Sequence, residues 1–419
     1  MAWVVIALLL VMIFIGMPIG FSLMISASIA MAMSDIDLIM APIQMFSGVN
    51  KVVLLAIPLF IFMGELMGAT SISERIINLA RAMVGWMRGG LAHVNVVTSM
   101  FMAEMSGSAV ADAAVMSKIF VPSMAKQGYP KPFAAAVTAT SATLGIIIPP
   151  SIPMVLYGVT TNTSIKDLFI AGIIPGILLG GAFMVTSYIF ARIEGHPVDE
   201  KFEVKRLGTV FWAAIVPLLI PVLVVGGLIG GFVTPTEAAA LGVVAALIFG
   251  WGMRRDLDSK KVYGLAATTV RQTSVVMMII AGSAVLGQFL ANEQIPQKIA
   301  EGLGELTDSF VLRMLLINMF LLFLGMFLHA SAAIIVVVPM LLPLSQQMGI
   351  DPVHFGVIVC LNLGIGQQTP PVASVLLTVC SATGLRIEQV MGYVKWYILA
   401  MFITLMIVSF IPITALALL

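Results

Sequence analysis

Long apolar runs without charge constrain this chain most strongly. The first charged side chain is Asp35, and about 20 apolar residues are enough to span a bilayer. Only 10% of all residues are charged and the mean hydropathy is +1.10, whereas a soluble domain carries roughly 25% charged residues. Since lipid cannot satisfy open backbone groups, an all-α polytopic membrane protein is predicted.

The apolar runs predict nine crossings. They lie near residues 3–33, 50–70, 132–164, 168–191, 208–232, 236–253, 265–292, 354–384 and 391–418. The first is expected to be a retained helix, because it is too long for the apolar part of a signal peptide and lacks a basic start. Two further stretches are interrupted by SGSAVAD (106–112) and LHASAA (328–333), so each is predicted to enter the membrane and return as a re-entrant hairpin.

The chain repeats itself at a separation of 221 residues. The matching pairs are Pro122 with Pro343, Gly128 with Gly349, Gly145 with Gly366, and Pro149–Pro150 with Pro370–Pro371. These residues interrupt regular backbone, so their coincidence predicts two copies of one unit rather than two unrelated kinked helices.

Lysine and arginine, which favour the cytoplasmic side, predict the orientation of the two copies. Loop 126–131 carries Lys126 and Lys131, whereas its copy at 347–354 carries Asp351 and no basic residue. With the 91–126 stretch as a hairpin, five crossings precede the second copy, and an odd count inverts it. The N-terminus is therefore expected in the cytoplasm and the C-terminus outside. Inverted repeats with broken helices are typical of secondary transporters.

Two apolar segments, SATLGIIIPPS (141–151) and LNLGIGQQTPP (361–371), contain residues that break helices. Proline lacks an N–H and glycine tolerates positive φ, so both segments are predicted to unwind at membrane depth. Irregular backbone there is tolerated where it lines a cavity. It then offers carbonyl oxygens to a cation such as Na⁺ and free N–H groups to an anion. The alternative is a pair of proline kinks that only shape packing.

The two hairpin tips and the two unwound segments are most simply arranged as a symmetric pair of cation sites. These sites would flank one site for the transported molecule, here called the cargo. The predicted sodium ligands are Ser106, Gly107, Ser108, Thr143, Gly145, Ser331, Gly364, Gly366 and Thr369. The predicted cargo-binding residues are Ser108, Pro149, Pro150, Ser151, Gln367, Gln368, Pro370, Pro371 and Ser374. For Gln367 and Gln368 a second interpretation stays open, in which they satisfy freed backbone groups.

Three ionisable residues have both a coupling and a structural interpretation. Asp112 is either an ionisable group at membrane depth or an N-cap. Glu237 follows TPT (234–236), so it either completes a helix cap or contributes to gating or a partner contact. His329 either couples protons or is a buried neutral histidine with one hydrogen bond.

Other chemistries find little support in the sequence. There is no Gly-Lys dipeptide, hence no P-loop, and no HExxH pattern. The four histidines are scattered, and Cys360 and Cys380 lie in apolar segments, as packing residues do. No catalytic pair is visible, and a net charge of +1 offers no case for nucleic acid. No enzyme, no cofactor and no metal other than sodium are expected.

Several stretches resemble the large membrane subunit, DctM type, of TRAP (tripartite ATP-independent periplasmic) transporters. They include FVTPTEAAALG (232–242) and GIDPVHFGVIVCLNLGIGQQTPP (349–371), and the blocks SGSAVADAA (106–114) and GIIIPPSIP (145–153) are specific to this family. The resemblance implies an elevator-type secondary transporter in the bacterial inner membrane, driven by Na⁺. It also implies a small four-helix membrane subunit (DctQ type) and a periplasmic binding protein (DctP type) that delivers an organic acid. That acid would be a C4-dicarboxylate, sialic acid or sugar acid.

The second copy departs from the family at LHASAA, where an acid followed by glycine is common, and at PPVAS, where the prolines usually precede a glycine. Gln367 and Gln368 replace commonly apolar residues.

The expected domains are 1–90 and 192–309 as scaffold (the latter including a linker helix), and 91–191 and 310–419 as the two halves of the transport domain. The alternatives are a self-sufficient sodium/dicarboxylate carrier and, less economically, an ion channel.

Overall fold

Helices make up the regular structure in the described part of the chain. The computed structural model describes residues 7–9, 11–13, 15–34, 36–253, 256–295, 297, 298, 302 and 307–419. Within these ranges there is no strand, only an isolated β-bridge between Arg88 and Val198. Seven described helices are long and apolar enough to cross a membrane, and a bent pair would make an eighth. The predicted all-α polytopic class is confirmed.

The helices are numbered here in chain order. They are α1 (Ile19–Met33), α2 (Met40–Val49), α3 (Ala56–Gly68), α4 (Ile72–Val84), α5 (Gly90–Ser106), α6 (Ala109–Lys126), α7 (Lys131–Ala142), α8 (Ile152–Thr161), α9 (Ile165–Ile193), α10 (Val204–Ile229), α11 (Pro235–Leu247), α12 (Ser259–Asn292), α13 (Phe310–Phe327), α14 (Ala330–Gln347), α15 (Pro352–Gly366), α16 (Ser374–Thr383), α17 (Ile387–Phe410) and α18 (Ile413–Leu416).

Two predicted crossings near the N-terminus are wrong in detail. The run 3–33 is not one helix, because the chain turns at 15–18: Gly16 has φ +85° and Pro18 precedes α1. The crossing 50–70 is preceded by an unpredicted helix, α2, which meets the following helical segment at a bend of 58°. Residues 1–6, 10 and 14 of the first run lie outside the described residues.

The internal repeat is visible in the helix boundaries. Hairpin 1, formed by α5 and α6, corresponds to hairpin 2, formed by α13 and α14, and a shift of 221 residues places the ends of α6 onto those of α14. Helices α7 and α8 correspond in the same way to α15 and α16. Residues 143–151 interrupt the first pair and residues 367–373 the second, and these segments are called break 1 and break 2. Each contains a cis peptide bond, at Pro149–Pro150 and Pro370–Pro371.

The two repeats have opposite orientations. Near one end of α9, Leu168 contacts Gly356 in the second turn of α15. Near the other end of α9, Phe190 packs on Phe133 in the first turn of α7, with ring centroids 5.7 Å apart. The equivalent helices α7 and α15 therefore start at opposite ends of α9, roughly 30 Å apart at 1.5 Å per residue. The predicted inverted topology is confirmed.

Hairpin 1 enters and leaves at the same end of the molecule. Gly89 and Gly90 at its start donate backbone N–H groups to Pro197 O, and the Tyr129 hydroxyl beyond its end donates to the same carbonyl at 3.2 Å. Asp199 in the same segment pairs with Arg81 of α4 at 2.9 Å. The hairpin tip, by contrast, contacts break 1, halfway along the molecule.

The helices pack in two groups. The first helix group contains α1–α4 and α10–α12, which pack mainly on one another, and the second contains α5–α9 and α13–α18. Within the second group, hairpin 1 packs on α16 and hairpin 2 packs on α8, so each hairpin contacts the half-helix of the opposite repeat. The two groups meet chiefly where α3 and α4 contact α5 and where α12 contacts α14.

Candidate functional site

Each break contacts the helix that leads into the other break, in the middle of the second helix group. Gln368 of break 2 donates from Nε2 to the Ala139 carbonyl oxygen of α7 at 2.6 Å. A Cβ built on Gly364 would lie 3.6 Å from Ile146 Cδ1 and 3.9 Å from Thr143 Cβ. Two segments more than 200 residues apart in sequence thus form one central site.

Each hairpin tip lies against the break of its own repeat. Gly107, which has φ +57°, forms tip 1, and a Cβ placed on it would lie 3.2 Å from Pro150 O. Near tip 2, the backbone of Gly325 contacts that of Gly366: a Cβ on Gly325 would lie 3.1 Å from Gly366 Cα. The sequence predicted this pairing of tips with breaks.

Polar side chains at tip 1 converge on break 1. Ser108 is the N-cap of α6, and its hydroxyl accepts a hydrogen bond from Ala111 N at 3.4 Å. The N-cap interpretation of Asp112 is therefore wrong, since Asp112 lies within the first turn. Its side chain is buried, and its Oδ2 lies 3.1 Å from the position of a Cβ on Gly145. The backbone of Ser106 ends α5, and its side chain lies outside the described atoms.

Break 1 is apolar apart from hydroxyls that the chain itself engages. Ser151 caps α8 by accepting from Met154 N and donates its own hydroxyl hydrogen to Ile146 O at 2.5 Å. Thr143 donates to Thr140 O at 2.5 Å. The isoleucines 146–148 between them are all buried. The polar atoms that remain at break 1 are mostly backbone groups.

Break 2 carries polar groups that the described residues do not satisfy. Gln367 is 1% exposed, and neither its amide nitrogen nor its amide oxygen has a hydrogen-bond partner there. The Gln368 Oε1 and Ser374 Oγ atoms also lack partners, whereas Thr369 Oγ1 donates to Ile365 O at 2.9 Å. Ala373, at the end of the break, has φ +47°, a conformation that favours glycine.

Tip 2 differs from tip 1. His329 is the N-cap of α14, and its Nδ1 accepts from Ser331 N at 3.4 Å. The imidazole is exposed rather than buried, whereas the Ser331 side chain is buried. Glu237 lies away from both tips, on α11, where Thr234 N donates to its carboxylate at 2.8 Å in a capping box. The capping interpretation of Glu237 is confirmed.

A cleft of about 240 Å³ separates tip 1 from the first helix group. Ser108 and Asp112 line it on one side, and Glu65 of α3 and Gln272 of α12 on the other. Gln272 Nε2 donates to Glu65 Oε1 at 2.8 Å. Sequence analysis did not select Glu65 or Gln272, although an acid inside a predicted crossing is a signal for function.

A second, smaller cleft of about 80 Å³ lies between α12 and α14. It is the symmetry counterpart of the first, because a shift of 221 residues places Glu65, Ala69 and Val115 on its lining residues. Those counterparts are Leu286, Leu290 and Val336. One junction between the helix groups is thus open and acidic, while its counterpart is narrow and apolar.

Comparison with known proteins identifies a family and several relatives of this chain. Residues 6–414 match the family described as the tripartite ATP-independent periplasmic transporter, DctM component. The sialic acid TRAP transporter large permease protein SiaM of Vibrio cholerae is 38% identical over 96% of this chain and 94% of its own length. The isethionate TRAP transporter permease protein DctMQ of Oleidesulfovibrio alaskensis is 37% identical over 88% of this chain and 58% of its own length. The solved structure of the Alcanivorax borkumensis YdaH transporter shares the fold, with a TM-score of 0.57 at 17% identity over 88% of this chain and 87% of the other.

Proposed function

We propose a function for this chain on one premise: it belongs to the DctM family of tripartite ATP-independent periplasmic transporters. It acts as the large permease that takes up an organic acid across the bacterial inner membrane, driven by a Na⁺ gradient. The acid belongs to the C4-dicarboxylate, sialic acid or sugar-acid type. A periplasmic binding protein of the DctP type delivers it, and a small four-helix subunit of the DctQ type accompanies the permease.

The unequal pair of clefts carries this proposal. Because the repeats are inverted, the two junctions open toward opposite ends of the molecule. A movement of the second helix group along the first that closes the cleft at Asp112 and Glu65 would open its counterpart at Val336 and Leu286. In this elevator mechanism, the first helix group (residues 1–90 and 192–309) is the scaffold. The second (residues 91–191 and 310–419) is the transport domain, which carries both breaks across the bilayer.

Sodium binds at the tips and breaks in this proposal. A Cβ on Gly145 would lie 3.1 Å from Asp112 Oδ2, so the backbone of break 1 approaches this carboxylate. Carboxylate and carbonyl oxygens are hard ligands that suit an alkali cation. The equivalent place in repeat 2 has Gly364, Gly366 and Ser331, with Ala333 at the counterpart of Asp112 and the exposed His329 at the counterpart of Ser108. No organic cofactor takes part, since the driving force is the ion gradient.

The cytoplasmic side is assigned to the base of hairpin 1. Lys126 and Lys131 lie there, and the equivalent loop of hairpin 2 has Asp351 instead. The N-terminus is then cytoplasmic and the C-terminus periplasmic. A single cysteine in loop 347–354 should react with an impermeant maleimide in intact spheroplasts, whereas one in loop 126–131 should react only after lysis. Labelling of both loops from the same side would refute the assignment.

Uptake by the purified protein in proteoliposomes tests the proposed function. We expect radiolabelled organic acid to accumulate only with an inward Na⁺ gradient, the small membrane subunit and the binding protein together. Accumulation without the binding protein would favour the self-sufficient sodium/dicarboxylate carrier. Single-channel currents in a planar bilayer would favour an ion channel, and K⁺ in place of Na⁺ is the control for the gradient.

A further inference from the structure

The interruption of the helix at break 2 does not require its polar side chains, because break 1 forms the same interruption without them. Shifted by 221 residues, Ile146, Ile147 and Ile148 of break 1 fall on Gln367, Gln368 and Thr369. Break 1 packs three buried isoleucines at these positions. Gln367 satisfies no freed backbone group either, because its side chain has no hydrogen-bond partner among the described residues. A buried amide of this kind indicates a ligand or ordered water.

The unsatisfied groups of break 2 include hydrogen-bond acceptors, and an acid without hydroxyl groups has no donor for them. The Gln367 and Gln368 Oε1 atoms only accept, the Gln367 amide nitrogen only donates, and the Ser374 hydroxyl does either. A dicarboxylate at neutral pH has acceptor oxygens and no donor. It would pair with the Gln367 amide nitrogen but leave both glutamine oxygens unsatisfied in a buried place.

The charges of the first cleft also disfavour a second carboxylate. Among the described residues, this cleft, which adjoins tip 1, is lined by Glu65 and Asp112 and by no lysine, arginine or histidine. Na⁺ at the tips can neutralise the charge of one carboxylate of the cargo. A second carboxylate would add a charge of the same sign as these two acids.

We propose that the cargo is a polyhydroxylated monocarboxylate of the sugar-acid type, whose hydroxyl groups donate to Gln367 and Gln368. This inference rests on the proposed function and narrows its substrate class. Vicinal hydroxyls both donate and accept, so they match an amide that needs both kinds of bond. Sites built to bond hydroxyl groups reject analogues without them, because buried acceptors are then left unpaired.

Ligand-induced thermal stabilisation of the purified chain in detergent with Na⁺ tests the inference without the binding protein. The probes are gluconate and N-acetylneuraminate as hydroxylated monocarboxylates and succinate as a bare dicarboxylate. We expect the wild type to bind at least one hydroxylated acid about tenfold or more tightly than succinate. In Gln367→Leu that preference should fall by about tenfold. Succinate binding should change less, because leucine removes the donor to its carboxylate together with an acceptor that succinate leaves unpaired.

Ile146→Leu, at the equivalent position of break 1, is the matched control and should keep the wild-type preference. Equal or tighter binding of succinate by the wild type would overturn the inference, as would an unchanged preference in Gln367→Leu. Should that variant fail to fold, Gln367→Met keeps the length of the side chain and serves instead. If no acid of either class binds the wild type with Na⁺, the inference fails, whereas the proposed function fails only if the complete transporter shows no Na⁺-driven uptake.

Discussion

Gly366→Ala is expected to destabilise the protein severely and to abolish uptake. A Cβ at this position would lie 2.4 Å from the Gly325 carbonyl carbon and 2.5 Å from Gly325 Cα. Both partners are backbone, so neither can rotate away as a side chain would. Separating tip 2 from break 2 should cost about 1–3 kcal/mol of the free energy of unfolding, the usual range for overpacking. Thermal unfolding in detergent measures the loss.

Gly364→Ala, two residues from Gly366 on the same helix, is the matched control for stability. Its nearest atoms would be 3.6 and 3.9 Å away, at ordinary van der Waals distance. It should therefore unfold near the wild-type temperature, and alanine at this helical position could even add some stability. Equal destabilisation by both variants would contradict the close contact between tip 2 and break 2.

Asp112→Asn is expected to weaken Na⁺-dependent uptake strongly while leaving the fold intact. Asparagine keeps the shape of the side chain but removes the charge that faces Gly145. An interaction with a charged group contributes about 1.5–3 kcal/mol. If the Asp112 carboxylate contributes this much to the free energy of Na⁺ binding, the Na⁺ concentration for half-maximal uptake should rise about 10- to 100-fold in the variant. Uptake rates across a Na⁺ titration give this value directly.

Asp167→Asn is the control for Asp112→Asn, because Asp167 also lies in the first turn of a helix, α9, but far from both tips. Its Na⁺ dependence should match that of the wild type. A Na⁺ dependence of Asp112→Asn that equals the wild-type curve would remove Asp112 from the cation site and leave it with a structural role.

The sequence predicted the architecture because helix-breaking residues act locally. Proline and glycine at 149–150, 370–371, 145 and 366 interrupt helices by their own backbone chemistry, and their separation of 221 residues revealed the repeat. The lysines of loop 126–131 then indicated the inversion. These signals need no knowledge of tertiary contacts, and the helix boundaries of both hairpins agree with them.

Several features depend on tertiary contacts and were not predicted from the sequence. Glu65 and Gln272 are 207 residues apart and meet only when α3 packs on α12. The sequence left Asp112 open between an ionisable group at membrane depth and an N-cap, but Ser108 caps α6 and the packing of tip 1 on break 1 buries Asp112. The turn at Gly16 and the bend after α2 were hidden within apolar sequence, where hydropathy alone does not distinguish one helix from two.

The distance between the two helix groups during transport is the most direct test of the account. Spin labels at Gly68 and Val115 report on the first cleft, and labels at Gly287 and Val336 report on its counterpart. When Na⁺ and cargo are added to the complete transporter in lipid, pulsed electron–electron double resonance should show a second distance population for each pair of labels. In that population the Gly68–Val115 distance is shorter and the Gly287–Val336 distance is longer. Two distances that stay fixed during measured uptake would contradict an elevator movement of the breaks.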